Sequence, residues 1–183
     1  AHDYFEVPRS DPRLEIDVED GRRFLADDER RWDAIVIDAF FADAIPFHLA
    51  TREFLQLVRE RLAPGGVVVV NVIGAVTGSE SKLLRSLTKT YRSAFPTVLL
   101  YPVFESEGDR NPTYTRNVIL VATDSAAPST AFLRQRWRAI RKEAPQAPDL
   151  DRAIADRWER PVRLDDVPVL TDDYAPTDAL LTD

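Results

Sequence analysis

AIVID at residues 34–38 is the stretch that decides the fold, because four apolar residues end there in a single carboxylate. This pattern predicts a short strand that is buried on both faces. Downstream, Thr51 to Leu62 places apolar residues on one helical face, and the turn at residues 64–66 separates that predicted helix from a second apolar strand at residues 67–73. Upstream, residues 14–18 (LEIDV) alternate apolar and charged side chains, which predicts a half-exposed strand.

Strands that alternate with helices indicate an α/β architecture with a largely parallel sheet. The last two predicted strands, residues 98–103 and 117–122, are joined by a polar segment without a helical pattern, so we expect an antiparallel pair at one edge. A parallel sheet that ends in such a hairpin is typical of class I methyltransferase-like (Rossmann-like) folds. We expect a single domain over residues 1–183, with an α/β core at 1–143 and a linker, a short helix and an irregular tail at 144–183.

The composition excludes several functional classes. The 183 residues carry a net charge of −7 and no Lys/Arg run, so the chain lacks the electrostatic footprint of a nucleic-acid-binding protein. Cysteine is absent and there are two histidines, which excludes disulfides, thiol nucleophiles and thiolate or His-rich metal sites. The sequence has no apolar run of about 18 residues that would predict a membrane span, and no leader opens the chain. We therefore expect a cytoplasmic location, either as a free protein or as the cytoplasmic part of a membrane-fused parent.

Acidic residues follow two of the predicted strands. Asp20 and Gly21 come after the first strand, Asp38 ends the AIVID stretch, and Asp43 follows shortly afterwards. In open α/β sheets, ligands bind outside the carboxyl ends of the strands. We therefore expect these acids to face one crevice.

Each of these acids also has a structural interpretation. Asp20-Gly21 is a turn signal, and its functional alternative is a carboxylate that accepts a hydrogen bond from an adenine amine while Gly21 permits close approach. Asp38 follows four apolar residues, where desolvating a lone carboxylate is costly, and its alternatives are a helix cap or a structural ion pair. Asp43 by itself is typical of a solvated loop.

Two further features are interpreted as structural. His48 has no acid and nucleophile at an informative spacing, so we interpret it as a loop residue. The stretch Thr171-Asp172-Asp173-Tyr174 is expected to pack the chain end against the sheet with Tyr174 as its anchor. Its alternative role is to line an amine pocket through Asp172 or Asp173.

Six short segments occur in a fixed order along most of the chain. They are DGRRFL (20–25), WDAIVIDAF (32–40), PFHLATREF (46–54), LAPGGV (62–67), RNV (116–118) and LTDDYAP (170–176). Together they resemble the spermidine synthase family, the polyamine aminopropyltransferases, and in particular its divergent bacterial branch.

This resemblance implies a reaction and a set of roles. The protein would move an aminopropyl group from decarboxylated S-adenosylmethionine, a co-substrate and not a prosthetic group, to a polyamine such as putrescine. Asp20 with Gly21 would bind the nucleoside, Asp38 would be the general base, and Asp43 would bind the amine. A carboxylate suits the base role because the attacking nitrogen must lose a proton. No metal is implied.

The family's glycine-rich loop and its ribose-binding acid have no counterpart in this sequence. We therefore expect the first two strand–helix units of the fold to be absent and Ala34–Ile37 to present an apolar edge. The fold would be incomplete unless a partner chain, such as a second copy, covers that edge. Two alternatives stay open: a methyltransferase that uses intact S-adenosylmethionine, and a non-catalytic domain that retains the fold.

Overall fold

The computed structural model describes residues 11–39, 45–106 and 108–180. Helices and strands alternate over most of this length, with short 3-10 turns at Phe47–Leu49 and Ser79–Ser81. In chain order the elements are α1 (Gly21–Asp27), β1 (Trp32–Ile37), α2 (Arg52–Arg61), β2 (Leu62–Gly74), α3 (Lys82–Ala94), β3 (Thr97–Pro102), β4 (Arg116–Thr123), α4 (Thr130–Glu143) and α5 (Asp151–Ala155).

The sheet has the strand order β1-β2-β4-β3. β1 and β2 run parallel, whereas β4 pairs antiparallel with both β2 and β3. This arrangement confirms the predicted α/β architecture and its terminal antiparallel hairpin. The prediction of a largely parallel sheet is wrong for the described strands, because β4 pairs antiparallel with both of its neighbours and the sheet is mixed. The parallel pair also places the carboxyl ends of β1 and β2 side by side, where ligands of such sheets bind.

The LAPGGV segment forms the start of β2, directly after α2. Gly65 has a φ of 80°, which glycine adopts without steric cost. A Cβ on Gly66 would lie 2.9 Å from the carbonyl oxygen of Ala63 and 3.0 Å from that of Trp32. Only glycine fits this close approach of β1 to β2.

The core lies between the sheet and the pair of helices α2 and α3. Both helices turn apolar faces inward, and alternate residues of β2 and β4 meet them. The fully buried members include Phe54, Leu55 and Val58 of α2, Leu83, Leu84, Leu87 and Tyr91 of α3, Val68, Val70 and Val72 of β2, and Val118 and Leu120 of β4. This core fixes the exits of β1 and β2 relative to each other.

The predicted strand at Leu14–Val18 is wrong. These residues form no strand, and Val18 is 98% exposed. Alternation of apolar and charged residues supplies no hydrogen-bond partners by itself, and no described strand lies beside this segment to satisfy its backbone groups.

The prediction for Ala34–Ile37 is partly confirmed. The segment forms β1 and, among the described residues, pairs with β2 alone, so it presents the expected open edge. Its predicted burial on both faces is wrong, because Ile37 is buried whereas Val36 is 69% exposed. Nothing in the described part of the chain covers the Val36 side of this edge strand.

Candidate active site

Two polar residues meet where β1 and β2 end. Asp38 follows β1 directly, and the register pairs Ile37 with Val70, so Asp38 lies beside Asn71. The side-chain amide of Asn71 donates a hydrogen bond of 3.1 Å from Nδ2 to Oδ1 of Asp38. The other amide atom, Asn71 Oδ1, is buried and accepts no hydrogen bond from any described residue. A fixed carboxylate and an unused acceptor therefore lie at one strand exit.

The surroundings of Asp38 differ from the expectation. Its side chain is exposed among the described residues, so the predicted desolvated position is wrong. The reason is the edge position of β1, whose carboxyl end is covered by no other described element. Asp43 lies outside the described residues, so its predicted role as the amine-binding acid stays a prediction.

Asp20 forms the N-cap of α1. Its Oδ1 accepts a hydrogen bond of 3.0 Å from the backbone N–H of Arg23, which satisfies one of the free donors of the first helical turn. Its Oδ2 lies 2.8 Å from Nε2 of His48. Asp20 therefore has the structural role of a helix cap, and the same carboxylate also contacts His48 in the 3-10 turn.

The electrostatics of Asp20 favour its ionised form. The backbone hydrogen bond from Arg23 is the main cause that lowers the pKa of this carboxyl. Burial opposes it, and the hydrogen bond to His48 makes a lesser contribution that lowers the pKa. A carboxylate has roughly four lone-pair sites, of which these partners use two. Asp20 therefore keeps acceptor capacity toward an amine.

Gly21 and Asp38 line the same groove. Its volume is about 420 Å³, and its other walls are mainly apolar side chains of α1, β1 and the start of α2. A Cβ built on Gly21 meets no atom within 4 Å, so the groove is open at that point. The structure thus brings together two of the predicted site residues, Gly21 and Asp38, from different segments, and Asp20 precedes Gly21 in the chain.

His48 is more than the loop residue that we predicted. It lies in the 3-10 turn Phe47–Leu49, and its ring bridges from that turn to Asp20. A separation of 28 residues carries no motif, so spacing gave no signal of this pair. The only sequence signal is that both residues fall within segments that resemble the same family.

The C-terminal stretch makes a network that sequence reasoning also missed. Asp172 accepts two hydrogen bonds from Arg22, of 2.8 Å and 2.7 Å, and one of 2.6 Å from the Thr51 hydroxyl. The side-chain hydrogen bonds from Arg22 lower the pKa of Asp172 to about 2, and the Thr51 hydroxyl contributes in the same direction. The tail is therefore tied to both α1 and the start of α2.

The predicted anchor of this tail is wrong. Tyr174 is 59% exposed, whereas Leu170 is fully buried. The Leu170 backbone N–H donates to the hydroxyl of Thr90, and its carbonyl accepts from the backbone N–H of Arg52. The chain end is therefore held by the buried aliphatic side chain of Leu170, whose backbone groups are both hydrogen-bonded. The Tyr174 side chain is exposed and does not anchor it.

The described residues show neither a metal-binding cluster nor a membrane-spanning helix. They contain no group of three or more His, Cys, Asp or Glu side chains arranged to hold a metal ion. Within the same residues, no helix has both the length and the apolar character that crossing a membrane requires.

Comparison with known proteins identifies the family. The sequence model of the spermine/spermidine synthase domain matches residues 3–134. A polyamine aminopropyltransferase of Vibrio vulnificus is 30% identical over 158 residues, which is 82% of this chain and 46% of that protein. An N-terminal histidine N-methyltransferase of Emericella nidulans is 29% identical over 151 residues, 76% of this chain and 26% of that protein.

Solved structures give the same result for the fold. The crystal structure of a probable spermidine synthase from Corynebacterium glutamicum matches with a TM-score of 0.59 at 25% identity, over 70% of this chain and 44% of that one. The chain therefore belongs to the spermine/spermidine synthase domain family and has its methyltransferase-like α/β fold. It spans less than half of the length of each of these three proteins.

Proposed function

We propose that this chain carries the amine-side catalytic machinery of an aminopropyltransferase. In the proposed reaction, the nitrogen of a polyamine such as putrescine attacks the aminopropyl carbon next to the sulfonium of decarboxylated S-adenosylmethionine. A C–N bond forms, the C–S bond breaks, and the electron pair of that bond stays on sulfur. The products are a longer polyamine and the thioether 5′-methylthioadenosine.

The observation that carries this proposal is the position of Asp38. A general base must lie within hydrogen-bond reach of the proton that it accepts. Asp38 stands at the strand exit, is held through Oδ1 by Asn71, and lines the groove that also contains Gly21. Its Oδ2 accepts no hydrogen bond from any described residue. We propose that this oxygen accepts the proton of the attacking amine.

Asp20 is proposed to hold the nucleoside. Its carboxylate is ionised, retains acceptor capacity beyond its bonds to Arg23 and His48, and adjoins the open space at Gly21. An exocyclic adenine amine is a donor that suits this acceptor. Asp43 is proposed, on the family resemblance alone, to pair with the distal ammonium of the amine.

A second candidate is methyl transfer from intact S-adenosylmethionine. The specific observation that favours it is the similarity to a protein named as a histidine N-methyltransferase over most of this chain. The two donors differ by one carboxylate, and both leave a thioether after attack by a nitrogen nucleophile. A general base at Asp38 would serve either reaction.

The open side of β1 leads to a proposal about partners. An unpaired strand edge invites pairing with another strand. We propose that a further strand covers β1 in the working protein, either from the same polypeptide or from a second copy.

The test is a donor assay on the protein that carries this sequence, purified as it occurs in its cell. The protein is incubated with putrescine and either decarboxylated or intact S-adenosylmethionine, and products are identified by mass spectrometry. Formation of 5′-methylthioadenosine and spermidine with the decarboxylated donor alone supports aminopropyl transfer. Formation of S-adenosylhomocysteine with the intact donor would move the assignment to methyl transfer. If neither donor gives a product, the protein would be assigned as a non-catalytic binding domain.

A further inference from the structure

The tail residue Asp172 is connected to the Asp20–His48 pair through a single side chain. The Arg22 guanidinium donates from Nη1 to both Asp172 Oδ1, at 2.8 Å, and the backbone carbonyl of His48, at 3.2 Å. Its Nη2 donates to the other oxygen of Asp172 at 2.7 Å. Arg22 therefore joins the C-terminal stretch to the 3-10 turn that contains His48, and the His48 ring contacts Asp20.

Asp172 is itself fixed from three directions. Beyond Arg22, it accepts the Thr51 hydroxyl at 2.6 Å, and its backbone N–H donates to Oε2 of Glu53 at 3.0 Å. The buried Leu170 anchors the same stretch two residues earlier. Charge-assisted bidentate pairs of this kind give geometric specificity as well as energy. Asp172 can therefore act as a rigid reference point for Arg22.

Two hydrogen bonds link the proposed nucleoside site to the 3-10 turn in the part of the chain that the structure describes. The His48 ring contacts Asp20, and the His48 backbone carbonyl accepts from Arg22. If the turn shifts, the ring of His48 moves and the free lone pairs of Asp20 change direction. The affinity for a hydrogen-bonded ligand depends on such directions.

We propose that Asp172 and Arg22 are positioning residues, which hold the Asp20–His48 pair in the geometry that binds the nucleoside of the donor. This inference rests on the proposed nucleoside role of Asp20. Neither residue needs to touch the ligand. In this proposal the C-terminal stretch affects the affinity for the donor and does not take part in the chemical step.

The first measurement is independent of any ligand. The ¹⁵N signals of the His48 imidazole report the hydrogen bonding of its two ring nitrogens, and their loss in a His48→Ala variant assigns them. Asp172→Asn keeps the shape of the side chain and removes its charge. We expect it to change the His48 signals, whereas Asp173→Asn, the matched control at an exposed neighbouring acid, leaves them unchanged.

The second measurement is the dissociation constant of 5′-methylthioadenosine, obtained by calorimetry. We expect Asp172→Asn and Arg22→Lys to raise it by about three- to tenfold, because a charged hydrogen-bond network is lost one step away from the ligand. The turnover number at saturating donor should stay within about twofold, since Asp38 is untouched. Thermal unfolding of each variant checks that it is folded at the assay temperature.

A double-mutant cycle separates positioning from general stabilisation. In a His48→Ala background, Asp172→Asn should have less than about a twofold additional effect on nucleoside affinity, because the link through which it acts is gone. Equal effects in both backgrounds, or unchanged His48 signals in Asp172→Asn, would overturn the inference. A wild-type protein that binds no 5′-methylthioadenosine would instead reject the proposed function, a result that is distinguishable because it does not involve the variants.

Discussion

Asn71 and Asp38 are linked by a hydrogen bond across the parallel pair of strands, from Nδ2 to Oδ1 at 3.1 Å. The bond follows from the register, because Ile37 pairs with Val70 and the next residue on each strand is polar. Asn71 therefore orients the carboxylate that the proposed mechanism uses as its base. One oxygen of Asp38 is fixed, while no described residue donates a hydrogen bond to the other.

Removing this amide should slow the reaction. Asn71→Ala is expected to lower kcat by about tenfold with little change in KM for the nucleoside donor, because a hydrogen bond to a charged group is lost but the Asp20 region is unaltered. Steady-state kinetics with varied donor measures both constants. Asn117→Ala is the matched control, since Asn117 is an exposed residue at the start of β4. An equal loss in both variants would contradict a specific role of Asn71.

The buried anchor of the tail predicts a contrast in stability. Leu170→Ala should lower the free energy of unfolding by about 2–5 kcal/mol, because it empties a fully buried site. Tyr174→Ala should change it by less than about 0.5 kcal/mol, since the ring is exposed. Urea denaturation measures both values. A larger effect at Tyr174 than at Leu170 would show that the aromatic ring holds the chain end after all.

Asp172 gives the tail a defined dependence on pH. Its pKa is depressed from 3.8 to about 2 by Arg22, so the folded state gains stability from the ionised form. That contribution is complete above the unfolded pKa near 4 and is lost as the pH falls through the folded pKa near 2. The stability difference between wild type and Asp172→Asn should therefore shrink over this acid range.

The measurement for this prediction is the unfolding midpoint as a function of pH for both proteins. Partial exposure of the pair means that added salt should reduce the difference as well. Asp173→Asn, next to it in the chain, is the control. A difference that stays constant from neutral pH to about pH 2 would show that the ionised Asp172 is not its source.

The edge strand provides a test of the proposed covering element. Val36 is 69% exposed, so Val36→Lys should be nearly neutral if β1 stays uncovered. If another strand or helix packs there in the working protein, the same change should destabilise by about 1–3 kcal/mol, because it buries a charge. We expect the second result. Val103→Lys, at an exposed position after β3, controls for the charge itself. If both changes have equal and small effects on stability, no element covers β1.

The sequence predicted the centre of the fold better than its ends. The apolar runs at β1, β2 and the β3–β4 hairpin form strands, because each has a neighbouring strand within the described chain. A hydrophobic pattern predicts a strand well where such a neighbour exists. The segment at Leu14–Val18 has a strand-like pattern but no neighbour, and a single-sequence pattern contains no information about neighbours. The same limit explains why Val36 is exposed.

The candidate site shows the same division. Asp38 and Asp20 were predicted because each follows a predicted strand, which is a local signal. The structure has that strand before Asp38 and has none before Asp20 within residues 11–19. The contacts of Asp20 with His48 and of Arg22 with Asp172 join residues 28 and 150 positions apart. Such contacts depend on how α1, α2 and the tail pack together, and no local periodicity specifies that packing.

The central claim is that Asp38 is the general base of the transfer reaction. The most direct measurement is the turnover number of Asp38→Asn with decarboxylated S-adenosylmethionine and putrescine, beside Asp33→Asn on the same strand and the affinity of each variant for 5′-methylthioadenosine. The account predicts that Asp38→Asn lowers kcat by about a hundredfold or more while nucleoside affinity is retained, and that Asp33→Asn leaves both unchanged. An Asp38→Asn protein that turns over as fast as the wild type would contradict it.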